Sequence, residues 1–131
     1  MYYKELEVWK KSIELVKAIY KISELFPESE QFGLASQIRR AAVSIPSNIA
    51  EGNVRTYDKE TIRFINIAIG SLAEVETQLI IAKELKFVDN IDEELNLLKQ
   101  VNALAFGLRN YLDKRKWLIN LSTYRLINLF I

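Results

Sequence analysis

The sequence predicts an all-α fold, an antiparallel up-down-up-down four-helix bundle. Apolar residues recur at i, i+3, i+4 through four long segments. Short connections join these segments, which makes consecutive helices antiparallel neighbours. Helices 1 and 3 also carry apolar residues beyond one bundle-facing stripe. That excess predicts assembly of protomers, because an isolated bundle would leave it in water.

The first helix is expected from about Lys4 to Leu25. Leu6, Trp9, Ile13, Val16 and Tyr20 make one stripe, and Val8, Leu15, Ile19 and Ile22 an adjoining one. A stripe that wide can face both the bundle and a neighbouring subunit. Pro27 ends the helix, since the residue before proline disfavours the helical region. Ser29 is a start signal for helix 2, with Gly33 delaying regular helix by a turn.

Helix 2 contains the central stretch from Gln37 to Gly52. Leu34, Ile38, Ala41, Ala42, Ile45 and Ile49 form its buried stripe. Gln37, Arg40, Ser44, Asn48 and Glu51 make a polar flank beside that stripe. Ala35, Arg39, Pro46 and Ala50 lie on the other flank, where mostly small side chains let another helix come close. Pro46 lacks an N–H and its ring crowds the carbonyl of Ala42, so a bend or an open carbonyl is expected there. Ser44, Ser47 and Asn48 either patch that defect or serve a second neighbour. Gly52 fits the left-handed position past a helix end, and Thr56 or Asp58 can cap helix 3.

Helix 3, from about Asp58 to Leu85, is the longest and most apolar. Ile62, Ile65, Ile69, Leu72, Val75 and Leu79 mark its core face, with Ile67, Ile81 and Leu85 on another side. Gly70 permits a close crossing. Glu76 falls in the apolar stripe, and a carboxylate buried there without a partner costs several kcal/mol. Its expected partner is Arg39 or Arg40, within a protomer or across an interface, because arginine holds a carboxylate with two parallel hydrogen bonds.

Asn90 and Glu93 resemble a capping box for helix 4, whose stripe runs from Ile91 to about Arg115. Arg109, Lys114, Arg115 and Lys116 could form a nucleic-acid patch, but the simpler reading is that cations complement the macrodipole at a helix C-terminus. Residues 1–116 are thus the bundle and 117–131 an apolar tail, with Arg125 its one charge. The tail is shorter than the about 20 apolar residues that span a bilayer, so no membrane role is expected. It extends helix 4, packs on the body or a partner subunit, or moves freely.

The chain has 131 residues, no cysteine and no histidine, and a formal net charge of +1. Disulfides, thiolate nucleophiles, histidine bases and the usual zinc or haem ligands are therefore absent, and neither metal nor cofactor is expected. Glu74 and Glu76 point about 200° apart on a helix and cannot share a substrate. No catalytic residue is expected. The near-zero charge means that any nucleic-acid binding needs a local basic patch. The polar amino end lacks the apolar run of a signal peptide, which points to the cytoplasm.

The chain resembles the four-helix-bundle family encoded in intervening sequences of bacterial 23S ribosomal RNA genes, to which the accessory variability proteins of diversity-generating retroelements also belong. The resemblance rests on Leu6-Glu7-Val8-Trp9, Phe26-Pro27, Phe32-Gly33-Leu34, the stretch from Gln37 to Gly52, Arg55, Ile67-Ala68-Ile69-Gly70-Ser71 and Glu74-Val75-Glu76-Thr77. It implies a homo-oligomeric ring, a pentamer in known members, without enzymatic activity. Its best-understood members bind nucleic acid and a reverse transcriptase, so RNA, DNA or such a protein is an expected partner. Family members usually carry Leu-Gly-Tyr at the end of helix 3, where this chain has Leu85-Lys86-Phe87. Arg39, Arg40, Arg55, Lys59 and Arg63 are the nucleic-acid candidates, expected to cluster around the end and flank of helices 2 and 3. Gln37, Ser44, Pro46, Ser47, Asn48, Glu51 and Glu76 are the candidate structural polar motif. The alternative is a structural or protein-interaction module, in which the cations make ordinary ion pairs.

Overall fold

Leu15, Ile19, Ile38, Ile45, Ile49, Ile65, Leu72 and Leu79 are almost wholly withdrawn from water, and four helices converge on them. A computed structural model describes the backbone of residues 2–129 and the side chains of residues 2–115. A 3₁₀ turn at Tyr3–Glu5 precedes α1 (Glu7–Ser23), and a second at Glu28–Glu30 precedes α2 (Leu34–Asn53). Then follow α3 (Asp58–Glu84) and α4 (Asp92–Leu129), with no strand among the described residues. α1 packs on α2 and α4, and α3 packs on α2 and α4, so the helices close a four-membered cycle. Cross-helix hydrogen bonds fix their direction. Ser44 meets Ser71 and Gly52 meets Thr61, so α2 and α3 run antiparallel. Asn66 with Arg109 and Asp58 with Arg115 set α3 against α4 in the same way.

Helix starts differ from the sequence signals. The Glu30 carboxylate, not Ser29, accepts from the Leu34 N–H at 3.1 Å and begins α2. Neither Thr56 nor Asp58 caps α3, where Tyr57 precedes the first turn without a side-chain cap. Thr61 instead donates to the Gly52 carbonyl at 2.8 Å, tying the end of α2 to the start of α3. Before α4, Asn90 Oδ1 accepts from the Asp92 N–H at 2.8 Å, while Glu93 is exposed.

Two glycines also play other parts than expected. Gly52 has no positive φ and lies inside α2, buried. A Cβ there would sit 2.8 Å from Phe64 Cβ and 3.1 Å from the Thr61 carbonyl, so this glycine exists to let the helices touch. Gly70 faces open space and mediates no crossing.

By length and composition α3 is apolar enough to cross a membrane. Its Ile65, Ala68, Leu72, Val75, Leu79 and Ala82 are spent on the bundle core. The α4 backbone continues helically past Arg115 to Leu129. The side chains from Lys116 onward, and with them the packing of the tail, lie outside the described residues.

Candidate interaction site

The seam between α2 and α3 is where the central motif acts. Ser44 Oγ lies 2.7 Å from the Ala41 carbonyl and 2.5 Å from Ser71 Oγ. A hydroxyl has one proton, so Ser44 donates to the carbonyl and Ser71 donates to Ser44. Ser47 donates to the Val43 carbonyl at 2.8 Å, and Asn48 Nδ2 to the Ser44 carbonyl at 2.7 Å. All three accepting carbonyls lie in the turn before Pro46, none of these side chains bonds the Ala42 carbonyl, and α2 stays continuous through the buried proline. Of the two jobs considered for it, Ser44 does the second, since its hydroxyl ties α2 to α3.

Outside this seam runs a groove of about 540 Å³ lined by Gln37, Arg40, Ser44, Ser71, Glu74 and Gln78, among others. Gln78 Oε1 is buried there without a hydrogen-bond partner. Arg40 is exposed and, like Lys59, has no hydrogen-bond or ion-pair partner among the described residues.

The five candidate cations do not form one cluster. Arg39 stands about 21 Å, at 1.5 Å per residue, from the end of α2 at Asn53, and Arg55 lies beyond that end. Arg39 belongs to the α1/α2 side, where its Nε donates to Ser23 Oγ at 2.7 Å and the guanidinium lies 4.9 Å from the Tyr20 ring centroid. Arg55 and Arg63 gather at the turn between α2 and α3, 5.0 and 4.5 Å from the Phe64 ring. Each also has a carboxylate partner, Glu51 for Arg55 and Glu60 for Arg63. Stacking on an aromatic face fixes a guanidinium plane and leaves its outer edge available.

Glu76 is not buried within the protomer, and no bond joins it to Arg39 or Arg40. The buried band of α3 is narrower than the sequence stripe and centres on Ala68, Leu72 and Leu79, leaving Glu76 at its margin where a long side chain reaches water. The pairing expected inside the protomer is therefore corrected.

Other polar residues do what no motif announced. Ser12 and Ser23 are buried on α1 and return their hydroxyls to the Trp9 and Tyr20 carbonyls. Arg115 holds Asp58 with two bonds of 3.0 and 2.6 Å, which pull the Asp58 carboxyl below its ordinary range. Glu94 is only 8% exposed, and desolvation pushes its carboxyl up against the weaker opposing pulls of its own backbone N–H and of Lys21. Its position between Ile91 and Leu98 on the apolar stripe was the available signal.

Fold and seam together define the class, an antiparallel four-helix bundle registered by polar side chains between its second and third helices. The model of the 23S rRNA-intervening sequence protein family matches residues 4–108, and the chain belongs to that family. Among solved structures it is similar to a protein of unknown function from the S23 ribosomal protein family of Bacteroides thetaiotaomicron VPI-5482. That likeness has a TM-score of 0.74 at 22% identity and covers 84% of this chain and 99% of the other, which carries the fold alone. No curated protein is significantly similar to the chain. The family match ends at residue 108, so Arg109, Arg115 and the rest of α4 lie beyond it.

Proposed function

We propose that this protein is a non-enzymatic oligomeric scaffold that binds nucleic acid, or a nucleoprotein partner such as one containing a reverse transcriptase. The supporting observation is the pair of guanidiniums stacked on Phe64, with Lys59 unpaired in the first turn of the same helix. Stacked arginines beside a free lysine suit phosphates without base specificity. Arg39 drops out of this account because it holds α1. The ring, a pentamer by family resemblance, repeats the patch around one assembly. Repetition raises the avidity of an otherwise weak contact.

Glu51 and Glu60 favour a second reading, in which the same turn is a neutralised surface of a protein-interaction module. Binding to mixed single- and double-stranded DNA and RNA probes at two salt concentrations separates the two. The scaffold reading expects sequence-independent binding at low salt that fades near physiological salt. Reversing Arg55 and Lys59 to glutamate should abolish it while the molar mass in solution stays the same. No binding at low salt leaves the interaction module.

A further inference from the structure

The helix cycle places the α1/α2 seam and the α3/α4 seam on opposite sides of the bundle. Both sides are more apolar than a solvated surface requires. On the first, Tyr20, Phe32 and Val43 are exposed at 42%, 94% and 40%, around a groove that also includes Arg39. On the second, Ile80 is 45% exposed, and Ile62 and Ile69 are half-buried on the same strip of α3. Glu76 belongs to that strip. It follows Asp58 by 18 residues, five full helical turns, and Asp58 is bonded to Arg115 of α4. The first apolar side thus presents arginines, Arg39 and Arg40, and the second presents the carboxylate of Glu76, which has no cation bonded to it among the described residues.

Height along the bundle makes the match specific. The Ser44–Ser71 bond sets the antiparallel register of α2 and α3. Arg39 precedes Ser44 by five residues, and Glu76 follows Ser71 by five, so they stand at one level on opposite sides. Copies related by rotation about an axis parallel to the helices keep their heights. Arg39 is also pre-oriented, with Ser23 and the Tyr20 ring fixing its plane while guanidinium N–H groups remain for a carboxylate.

We infer that the α1/α2 face of one copy docks on the α3/α4 face of the next, with Arg39 of the first bonded to Glu76 of the second inside an apolar surround. This rests on the oligomeric reading above and names its interface. The occupant is a second copy of this chain, because the two faces are complementary to each other and lie on opposite sides. A head-to-tail contact of this kind propagates, and it closes into a ring where each copy is turned relative to the last by a fraction of a full circle. Lys99 of α4 stands at the same height as Glu76, counted from the Asn66–Arg109 bond, and makes no ion pair with it. It is the competing local cation.

Sedimentation and light scattering of the full chain test this, with circular dichroism confirming that each variant is folded. Glu76→Arg removes no bond within the protomer, so its fold should persist while the concentration for half-assembly rises at least about tenfold. Adding Arg39→Glu to it restores the opposite charges and should recover most of that loss. Lys99→Ala should leave assembly unchanged. Assembly of Glu76→Arg at the concentration of the unsubstituted chain overturns the inference and leaves the oligomer standing. A loss in Lys99→Ala as large as in Glu76→Arg, or a folded double variant no better than Glu76→Arg, also overturns it. If the unsubstituted chain is a monomer, the oligomeric reading falls as well.

Discussion

The two connections that flank α3 use glycine in opposite ways. At the α2–α3 end, Gly52 has ordinary helical backbone and is needed only because Phe64 and the Thr61 carbonyl press against it. At the α3–α4 end, Lys86 takes a φ of 63°, the left-handed value that glycine adopts freely. There Phe87 N–H bonds to the Ala82 carbonyl at 2.9 Å and Lys86 N–H to the Lys83 carbonyl at 3.0 Å, the Schellman pattern that ends a helix. The hydrogen bonds are complete without the residue best suited to them. Contact between helices constrains the first connection, and backbone geometry the second. The first fixes how two helices of the central motif meet. The second only returns the chain.

Substitution at Gly52 is the strongest way to break this comparison. Gly52→Val places carbon into Phe64 and the Thr61 backbone, and backbone cannot move aside cheaply. We expect a loss of about 3 kcal/mol, the upper range for overpacking. Urea or thermal unfolding reads it directly. Gly70→Ala is the internal control, because nothing lies within 4 Å of its would-be Cβ. A helical glycine in open space should gain up to about 1 kcal/mol on becoming alanine. Equal effects at the two positions would mean that the contact at Gly52 is unimportant.

Lys86→Gly sharpens the other side. A left-handed non-glycine residue costs roughly 1–2 kcal/mol, and the added freedom of glycine in the unfolded chain returns part of that. A net gain of about 0.5–1 kcal/mol is expected, visible as a higher midpoint with an unchanged urea slope. Loss of stability would show that Lys86 makes a contact worth more than its strain.

The same contrast explains what could be read in the sequence. The four helices and most core positions follow from 3.6-residue spacing, because burial of one helix face is a local pattern. Ser44, Ser47 and Asn48 were legible as side chains that return to the backbone of their own helix, since the carbonyls three and four residues earlier stand at fixed offsets. The role of Gly52 was not. A glycine after a helical run reads as a left-handed cap, and only the position of Phe64 on another helix says otherwise. Glu76 failed for a related reason. A helical wheel gives angles but not the width of the buried band, which depends on how two neighbours straddle the helix. The scattering of Arg39, Arg40, Arg55, Lys59 and Arg63 needed the register of α2 against α3, and that resides in the Ser44–Ser71 bond.

The smallest expected effect lies just past the turn at Lys86. Glu94 sits in the first helical turns of α4, where the macrodipole favours a negative charge. It is also buried, and desolvation raises its pKa, opposed by a hydrogen bond from its own backbone N–H and by Lys21, with Glu93 and Asp92 adding repulsion. A carboxyl whose folded pKa lies above its unfolded value stabilises the fold as the neutral acid. That contribution is full below the unfolded pKa and is lost as pH rises through the folded one. At neutral pH the ionised Glu94 is therefore a cost. Glu94→Gln keeps the shape and removes the charge, so it should raise stability at pH 7 by less than about 1 kcal/mol, because the group keeps some access to solvent. The advantage should shrink as pH falls and vanish below about 4, where the glutamate is neutral as well. Urea midpoints for both proteins across pH 3–8 give the curve. A constant offset at every pH would assign the gain to packing, and a loss at pH 7 would mean that the backbone N–H bond, the macrodipole and Lys21 together outweigh burial.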